Sequence, residues 1–427
     1  MFMKKTKSIF LVLSIFLVIF FSIITITTVN AAPQNVIYVS SDGKGTGATP
    51  SNPLGNSNNY KIEDGSHIDN AFYKALMKLK NTGGTIVIVG PTAIDTAEAR
   101  VPKSKDESLY PAEFKCPTFL KGTKVKITSV YGGKDYRKNG AKLILDHDAC
   151  NTSLLVFEGD TTLENIDIEY KYDSQSQNSL RIPFVLGGGL NEFVISNGVN
   201  VTSYNTHTQS EGELYPILIG GYRYASRTGN TSLTVKSGTW SCVIGGSFGL
   251  TSATKTYGEI DGNVNLKIEG GKIETVIGTG SFEQPSGSVT GNVNITVNGG
   301  EIKDVYACNQ AIFKGNKINV IISGDSKVDS FDYAPANYFG ELGELKNKVT
   351  YTNNTNYVPK EEPTLPDTQI SPPISPSSPD ETQPNSDSTL EYELLSSSFL
   401  ISLSVLALSV IVAYVVIYFL KLRIMKK

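Results

Sequence analysis

The sequence predicts an all-β chain built as a parallel β-helix, with one helix near its start. Three observations point there. First, near-identical segments open with Gly-Asn at Gly229-Asn230, Gly262-Asn263 and Gly291-Asn292, and a degenerate fourth opens at Gly315-Asn316. Second, each alternates apolar and polar residues, meets glycine, and is followed by a second short apolar run and a glycine-rich turn. Third, an amphipathic stretch between two strand-like runs suits a cover over one end of a solenoid.

The repeats carry most weight. Gly262-Asn263-Val264-Asn265-Leu266-Lys267-Ile268-Glu269-Gly270-Gly271 is matched closely by Gly291-Asn292-Val293-Asn294-Ile295-Thr296-Val297-Asn298-Gly299-Gly300. The period of two predicts a half-buried strand, and the glycines a turn that needs positive φ. Second strands are expected over 240–244, 273–277 and 302–306. Only the segment after the second strand shortens from unit to unit. Stacked rungs with projecting loops of variable length explain that pattern, and unequal units disfavour a β-propeller. Many glycines (39), tyrosines (21) and phenylalanines (18), with few methionines (4), suit short strands and tight turns.

Earlier in the chain, Ile68, Ala71, Phe72, Ala75, Leu76 and Leu79 recur at helical spacing, with Ser66 as candidate N-cap. Asn81-Thr82-Gly83-Gly84 ends the helix, and Thr85-Ile86-Val87-Ile88-Val89 reads as an apolar strand. Further strands are expected over 142–146, 153–157 and 163–168, with Asn165 an inward residue serving turn backbone.

The ends are targeting segments. Lys4, Lys5 and Lys7 precede an apolar run over 8–29, and Val29-Asn30-Ala31 offers small residues for a signal peptidase. An uncleaved anchor is the alternative. Residues 399–420 hold no charge, and a helix of that length spans about 33 Å, near the hydrocarbon thickness. Lys421, Arg423, Lys426 and Lys427 follow and favour a cytoplasmic C-terminus. Between helix and ectodomain lies a stretch rich in Pro, Ser and Thr, able to reach about 100 Å if extended. The expected organisation is a signal over 1–32, a β-helix ectodomain over 33–350, a linker over 351–395, a transmembrane helix over 396–420 and a cytoplasmic tail over 421–427. Leu365-Pro366-Asp367-Thr368-Gln369 resembles the LPxTG sorting signal of Gram-positive wall proteins. However, Gln369 replaces the glycine and the apolar segment is distant, so membrane anchoring is expected over wall attachment.

The formal net charge of −3 becomes −10 once the seven basic residues of the two ends are set aside. Phosphate binding needs clustered Lys and Arg, so no nucleic-acid partner is expected. Cys116, Cys150, Cys242 and Cys308 lie far apart and show no metal-ligand spacing, though a bridge or two remains open.

Tyr38-Val39-Ser40-Ser41-Asp42-Gly43, then a helix, then Thr82-Gly83-Gly84-Thr85 and a strand, resembles the entry to right-handed β-helix proteins of the pectate-lyase-like superfamily. The Gly-Asn-Val-Asn-Leu-Lys-Ile-Glu-Gly-Gly unit is similar to repeats of clostridial and bacillar surface proteins. The likeness covers roughly residues 36–340. It implies a right-handed solenoid but no single activity, because lyases, hydrolases and adhesins share the fold. Lyases of this fold use a Lys or Arg base with calcium held by clustered Asp. Asp261, Asp304 and Asp325 stand at non-equivalent repeat positions instead.

Three places could carry chemistry. Gly245-Gly246-Ser247-Phe248-Gly249 matches the G-x-S-x-G nucleophile elbow, but no helical period follows and the site recurs as a turn in other repeats. Asp146-His147-Asp148 could hold calcium or act in acid–base chemistry, or be a polar turn; His67 and His207 are isolated. The loop face is the strongest candidate, with Tyr222, Arg223, Tyr224, Arg227, Phe248, Tyr257, Phe282, Glu283 and Asn309, and beyond them Gln310 and Phe313. Stacked in register, these would line a groove whose rings meet sugar C–H groups and whose polar side chains meet hydroxyls. The same rings could instead pack loops onto the wall. The expected function is a membrane-anchored, adhesin-like surface protein that binds polysaccharide or another surface ligand and needs no cofactor. A polysaccharide lyase or glycoside hydrolase, with calcium if a lyase, is the alternative, and a structural spacer is a third reading.

Overall fold

The computed structural model describes residues 35–56, 71–94, 114–115, 119–146, 154–175, 183–222, 226–249, 258–280 and 287–358. The signal, the bulk of the linker, the apolar segment 396–420 and the tail lie outside these residues. So do Cys116, Cys150, His67, His147 and Asp148. Among the described residues no helix is long and apolar enough to cross a membrane.

The chain is mostly β, with long parallel sheets. The first sheet has ten strands, from Val36–Val39 and Gly84–Ile88 through Thr231–Val235, Val264–Ile268, Val293–Val297 and Ile318–Ile322 to Val349–Asn353. The second holds Pro91–Ile94, Lys142–Asp146, Asp167–Tyr172 and Asn200–Asn205 in parallel order. The third has eight strands, among them Leu154–Val156, Val185–Gly187, Ile217–Ile219, Thr239–Ile244, Lys272–Ile277, Glu301–Tyr306 and Lys327–Asp332. The chain visits the sheets in turn, and each strand pairs in parallel with its counterpart one circuit later. That connectivity is compatible with a β-helix solenoid.

Register turns the repeat into a core. Leu233, Leu266, Ile295 and Val320 form one column, and Val235, Ile268, Val297 and Ile322 another. All eight are buried. Asn265, Asn294 and Asn319 alternate with them on the outer face, where the Asn294 amide donates to Asn265 Oδ1 at 3.1 Å. The recurring Gly-Asn pair has its own cause. Backbone N–H groups of Asn263 and Asn292 donate to Oδ1 of Asn230 and Asn263, each at 2.8 Å. The stack is so close there that a Cβ on Gly262 would lie 2.1 Å from the Gly229 carbonyl oxygen.

The run expected over 163–168 is two strands, Asp160–Glu164 and Asp167–Tyr172. Between them Asn165 takes φ +47°, a left-handed value that asparagine tolerates, so it turns the chain from the first sheet to the second. After Asn200–Asn205 the described coils use the first and third sheets. Trp240, fully buried, stands at this change, on a strand that touches Asn200–Asn205. The third-sheet ladder steps over Ser241 and Glu274 at the same corner.

The helix Ala71–Leu79 buries Ala71, Phe72, Ala75, Leu76 and Leu79 against the opening strands of the first two sheets. Its first-turn Ala71 N–H donates to Asn56 Oδ1 at 2.8 Å, which satisfies one orphan donor. Ser66 and Ile68 lie outside the described residues.

Candidate functional site

The site is built where third-sheet strands run out into loops. The first-sheet strands of the repeats alternate, burying every second residue, as Val264–Ile268 does. Third-sheet strands Val185–Gly187 and Ile217–Ile219 are buried at every position, so both faces of that sheet are covered at these coils. Leu186, Leu218, Val243 and Val276 fill the interior. On the other face Val156, Val185, Ile217, Ile219, Cys242, Ile244 and Ile277 form a separate apolar cluster with Phe248, edged by Tyr222 and Tyr306.

Beyond these strands the ladder continues through glycines. Gly220 N–H donates to Ile244 O at 2.9 Å, Gly245 N–H to Ile277 O at 2.8 Å, and Gly278 N–H to Tyr306 O at 3.0 Å. Successive loops therefore start in register along one edge. Gly245-Gly246-Ser247 is one such step. Ser247 is fully buried and its Oγ accepts the Tyr222 N–H at 3.0 Å, which makes it a clasp between coils. The sequence's preference for a recurring turn over a nucleophile elbow agrees with this placement.

Tyr222 ties several coils together. Its hydroxyl donates to Glu158 Oε2 at 2.8 Å, across 64 positions of sequence. Its ring lies 5.5 Å from the Arg227 guanidinium carbon. Burial pushes the phenol well above the usual tyrosine range, the Glu158 charge and hydrogen bond add to that, and Arg227 and the Leu190 N–H partly offset it. At neutral pH the phenol is a proton-bearing donor and no base. Arg227 is exposed, and the trio offers a carboxylate, a ring edge and a cation beside one another.

The other candidates fall out differently. Phe248 is 6% exposed and packs on the third sheet's outer face; Asn309 is 1% exposed. Asn309 Oδ1 accepts the Ala311 N–H at 3.0 Å and the Thr279 hydroxyl at 3.2 Å, so it shapes its own turn. Gln310 and Phe313 are buried as well, with Lys348 Nζ 5.5 Å above the Phe313 ring. Arg223, Tyr224, Tyr257, Phe282 and Glu283 lie outside the described residues. Asp146 ends a second-sheet strand, and exposed His207 has Nδ1 3.8 Å from Asp173. Among the described residues no three His, Cys, Asp or Glu come together as a metal site. Glu158 was not among the sequence candidates. Its signal was positional: it follows a third-sheet strand, as Tyr222 follows the strand and glycines of a later coil.

Cys242 and Cys308 are buried thiols outside any disulfide. Burial pushes the Cys308 thiol up to about 12. An unfolded cysteine ionises near ~8.5, so above that pH only the unfolded chain gains thiolate from this residue, and its contribution to stability falls as pH rises toward 12. Iodoacetamide at about pH 9 should leave Cys308 unmodified in the native chain and alkylate it once denaturant is added. Peptide mapping of the two samples checks this, and native alkylation would contradict it.

Compared with family models, with characterised proteins and with solved structures, the chain matches none.

Proposed function

We propose that this chain is a surface protein of a Gram-positive cell, held outside the membrane by its C-terminal apolar segment. Its stacked coils bind a polysaccharide or another surface ligand at the loop edge of the third sheet. The hydrogen-bonded Tyr222–Glu158 pair with exposed Arg227 beside it carries this reading. Sugar hydroxyls can donate to the Glu158 carboxylate and accept from the guanidinium, with the phenol holding the carboxylate in place. Loops that start in register give such a site length along the edge, which suits a polymer. The raised phenol supports binding over proton abstraction by Tyr222.

The rest of the organisation follows the sequence. The basic, apolar start supports export, and the uncharged segment 396–420 with its basic tail supports a single membrane pass. Crossovers between parallel strands are right-handed in nearly all proteins, which supports a right-handed solenoid. The helix Ala71–Leu79 then acts as its N-terminal cap.

The full-length chain should bind members of a polysaccharide panel. Tyr222→Ala and Arg227→Ala should each weaken that binding about tenfold, a loss of ~1.4 kcal/mol. Binding to nothing on the panel, or binding that both variants leave unchanged, would refute the site. Release of unsaturated sugar products with calcium present would replace it with the lyase reading.

A further inference from the structure

The two ends of the stack differ. At the start, the strand Val36–Val39 has its free edge covered by the chain's own backbone. Tyr38 N–H donates to Gly47 O at 2.9 Å, and Leu54 N–H donates to Tyr38 O at 2.8 Å. At the finish, Val349–Asn353 pairs with Ile318–Ile322 on one side and has no strand on the other among the described residues. Thr350 to Asn353 are exposed.

Among the described residues this last strand carries neither the charge nor the proline that usually protects an edge. Val349-Thr350-Tyr351-Thr352-Asn353 holds no charge, no proline and no glycine, and its β-branched and aromatic residues favour strand. Apolar surface accompanies it. Tyr351 stacks on Phe331 with centroids 3.9 Å apart, yet stays 37% exposed, and Phe339 in the preceding crossing segment is 61% exposed. Because Asn354 N–H donates to Ile322 O, strand alternation turns the C=O of Val349 and the N–H and C=O groups of Tyr351 and Asn353 toward the open side, while the Val349 N–H caps the preceding helix on Lys346 O.

We propose that this edge pairs with the same edge of a second copy, antiparallel and centred on Tyr351, so that two stacks join tail to tail through a continuous first sheet. The segment is self-complementary in that register. Tyr351 meets Tyr351, and each Thr350 meets a Thr352, a favourable cross-strand pair. The Tyr351 pair then exchanges two backbone hydrogen bonds, and each Asn353 N–H meets a Val349 C=O across the junction. The contact is isologous and closes at two copies, because the covered N-terminal edge blocks head-to-tail growth. This inference does not rest on the ligand-binding reading.

The test uses the full-length chain in detergent, followed by sedimentation velocity. Wild type should run as a dimer. The double variant Thr350→Lys with Thr352→Lys places like charges opposite each other and should run as a monomer with unchanged circular dichroism. Mixing it with Thr350→Glu plus Thr352→Glu should restore a heterodimer, which a single affinity tag can recover. A monomeric wild type overturns the proposal, including one whose strand 349–353 is protected from hydrogen exchange by its own downstream chain. A lysine variant that stays dimeric overturns it too.

Discussion

Replacing Gly246 by alanine should destabilise the stack by about 3 kcal/mol and split its unfolding into two transitions. The cause is contact. A Cβ at this position would lie 2.0 Å from the Thr279 carbonyl oxygen, and Gly246 is not in a left-handed conformation. The rung cannot back away cheaply, because Gly246 O accepts the Gly221 N–H at 2.8 Å from the other side. In a stack where each coil touches its neighbours alone, weakening one interface uncouples the two halves. Gly343 is the control. It lies in the helix Leu342–Lys348 with nothing within 4 Å of a Cβ, so Gly343→Ala should stabilise by ~0.5–1 kcal/mol. Urea denaturation followed by far-ultraviolet circular dichroism compares the two. Equal effects, or a single unshifted transition for Gly246→Ala, would mean the rungs are not stacked this closely.

Trp240→Ala should cost about 4 kcal/mol, the largest effect expected of a single truncation in this core. Trp240 is fully buried, and its indole N–H donates to Ser237 O at 3.0 Å. It occupies the first described coil without a second-sheet strand, where one large side chain fills what a strand filled before. Even the turn is fitted to it: a Cβ on Gly238 would come within 2.7 Å of the indole nitrogen. Trp240→Phe keeps most of the volume and should lose roughly a third as much. As the chain's one tryptophan, Trp240 also reports on itself, with native emission blue-shifted and moving red as this coil opens. Red-shifted emission from the native chain would contradict its burial.

Much of the first sheet was legible because its strands alternate cleanly. Leu233, Leu266, Ile295 and Val320 recur at matching places in their repeats, and the structure places them in one column. The helix over Ala71–Leu79 was legible for the same reason at a different period. The second covered face of the third sheet was missed, although Ile217-Leu218-Ile219 and Cys242-Val243-Ile244 run apolar without alternation, which signals burial on both sides. Asn165 was singled out as serving turn backbone, but the division of 163–168 into two strands was not, because a strand pattern continues through a single left-handed residue. At the site, aromatic residues near glycine turns could be spotted, but side-chain direction could not. Phe248 folds back onto the third sheet's outer face and Asn309 is buried in its own turn while Tyr222 and Arg227 reach the edge, and only the stacking of distant coils brings Glu158 to Tyr222.

The fold and the site on its edge depend on regular stacking, and spin-label distances measure it most directly. Labels carried by encoded non-natural residues at Lys124 and Asn265 stand four rungs apart in register, and labels at Lys124 and Asn319 stand six apart. At about 4.8 Å per rung the pulsed dipolar distances should centre near 19 Å and 29 Å, in chains diluted with unlabelled protein. Distances that fail to grow in proportion to the rung count would contradict the stack and remove the basis for the site on its edge.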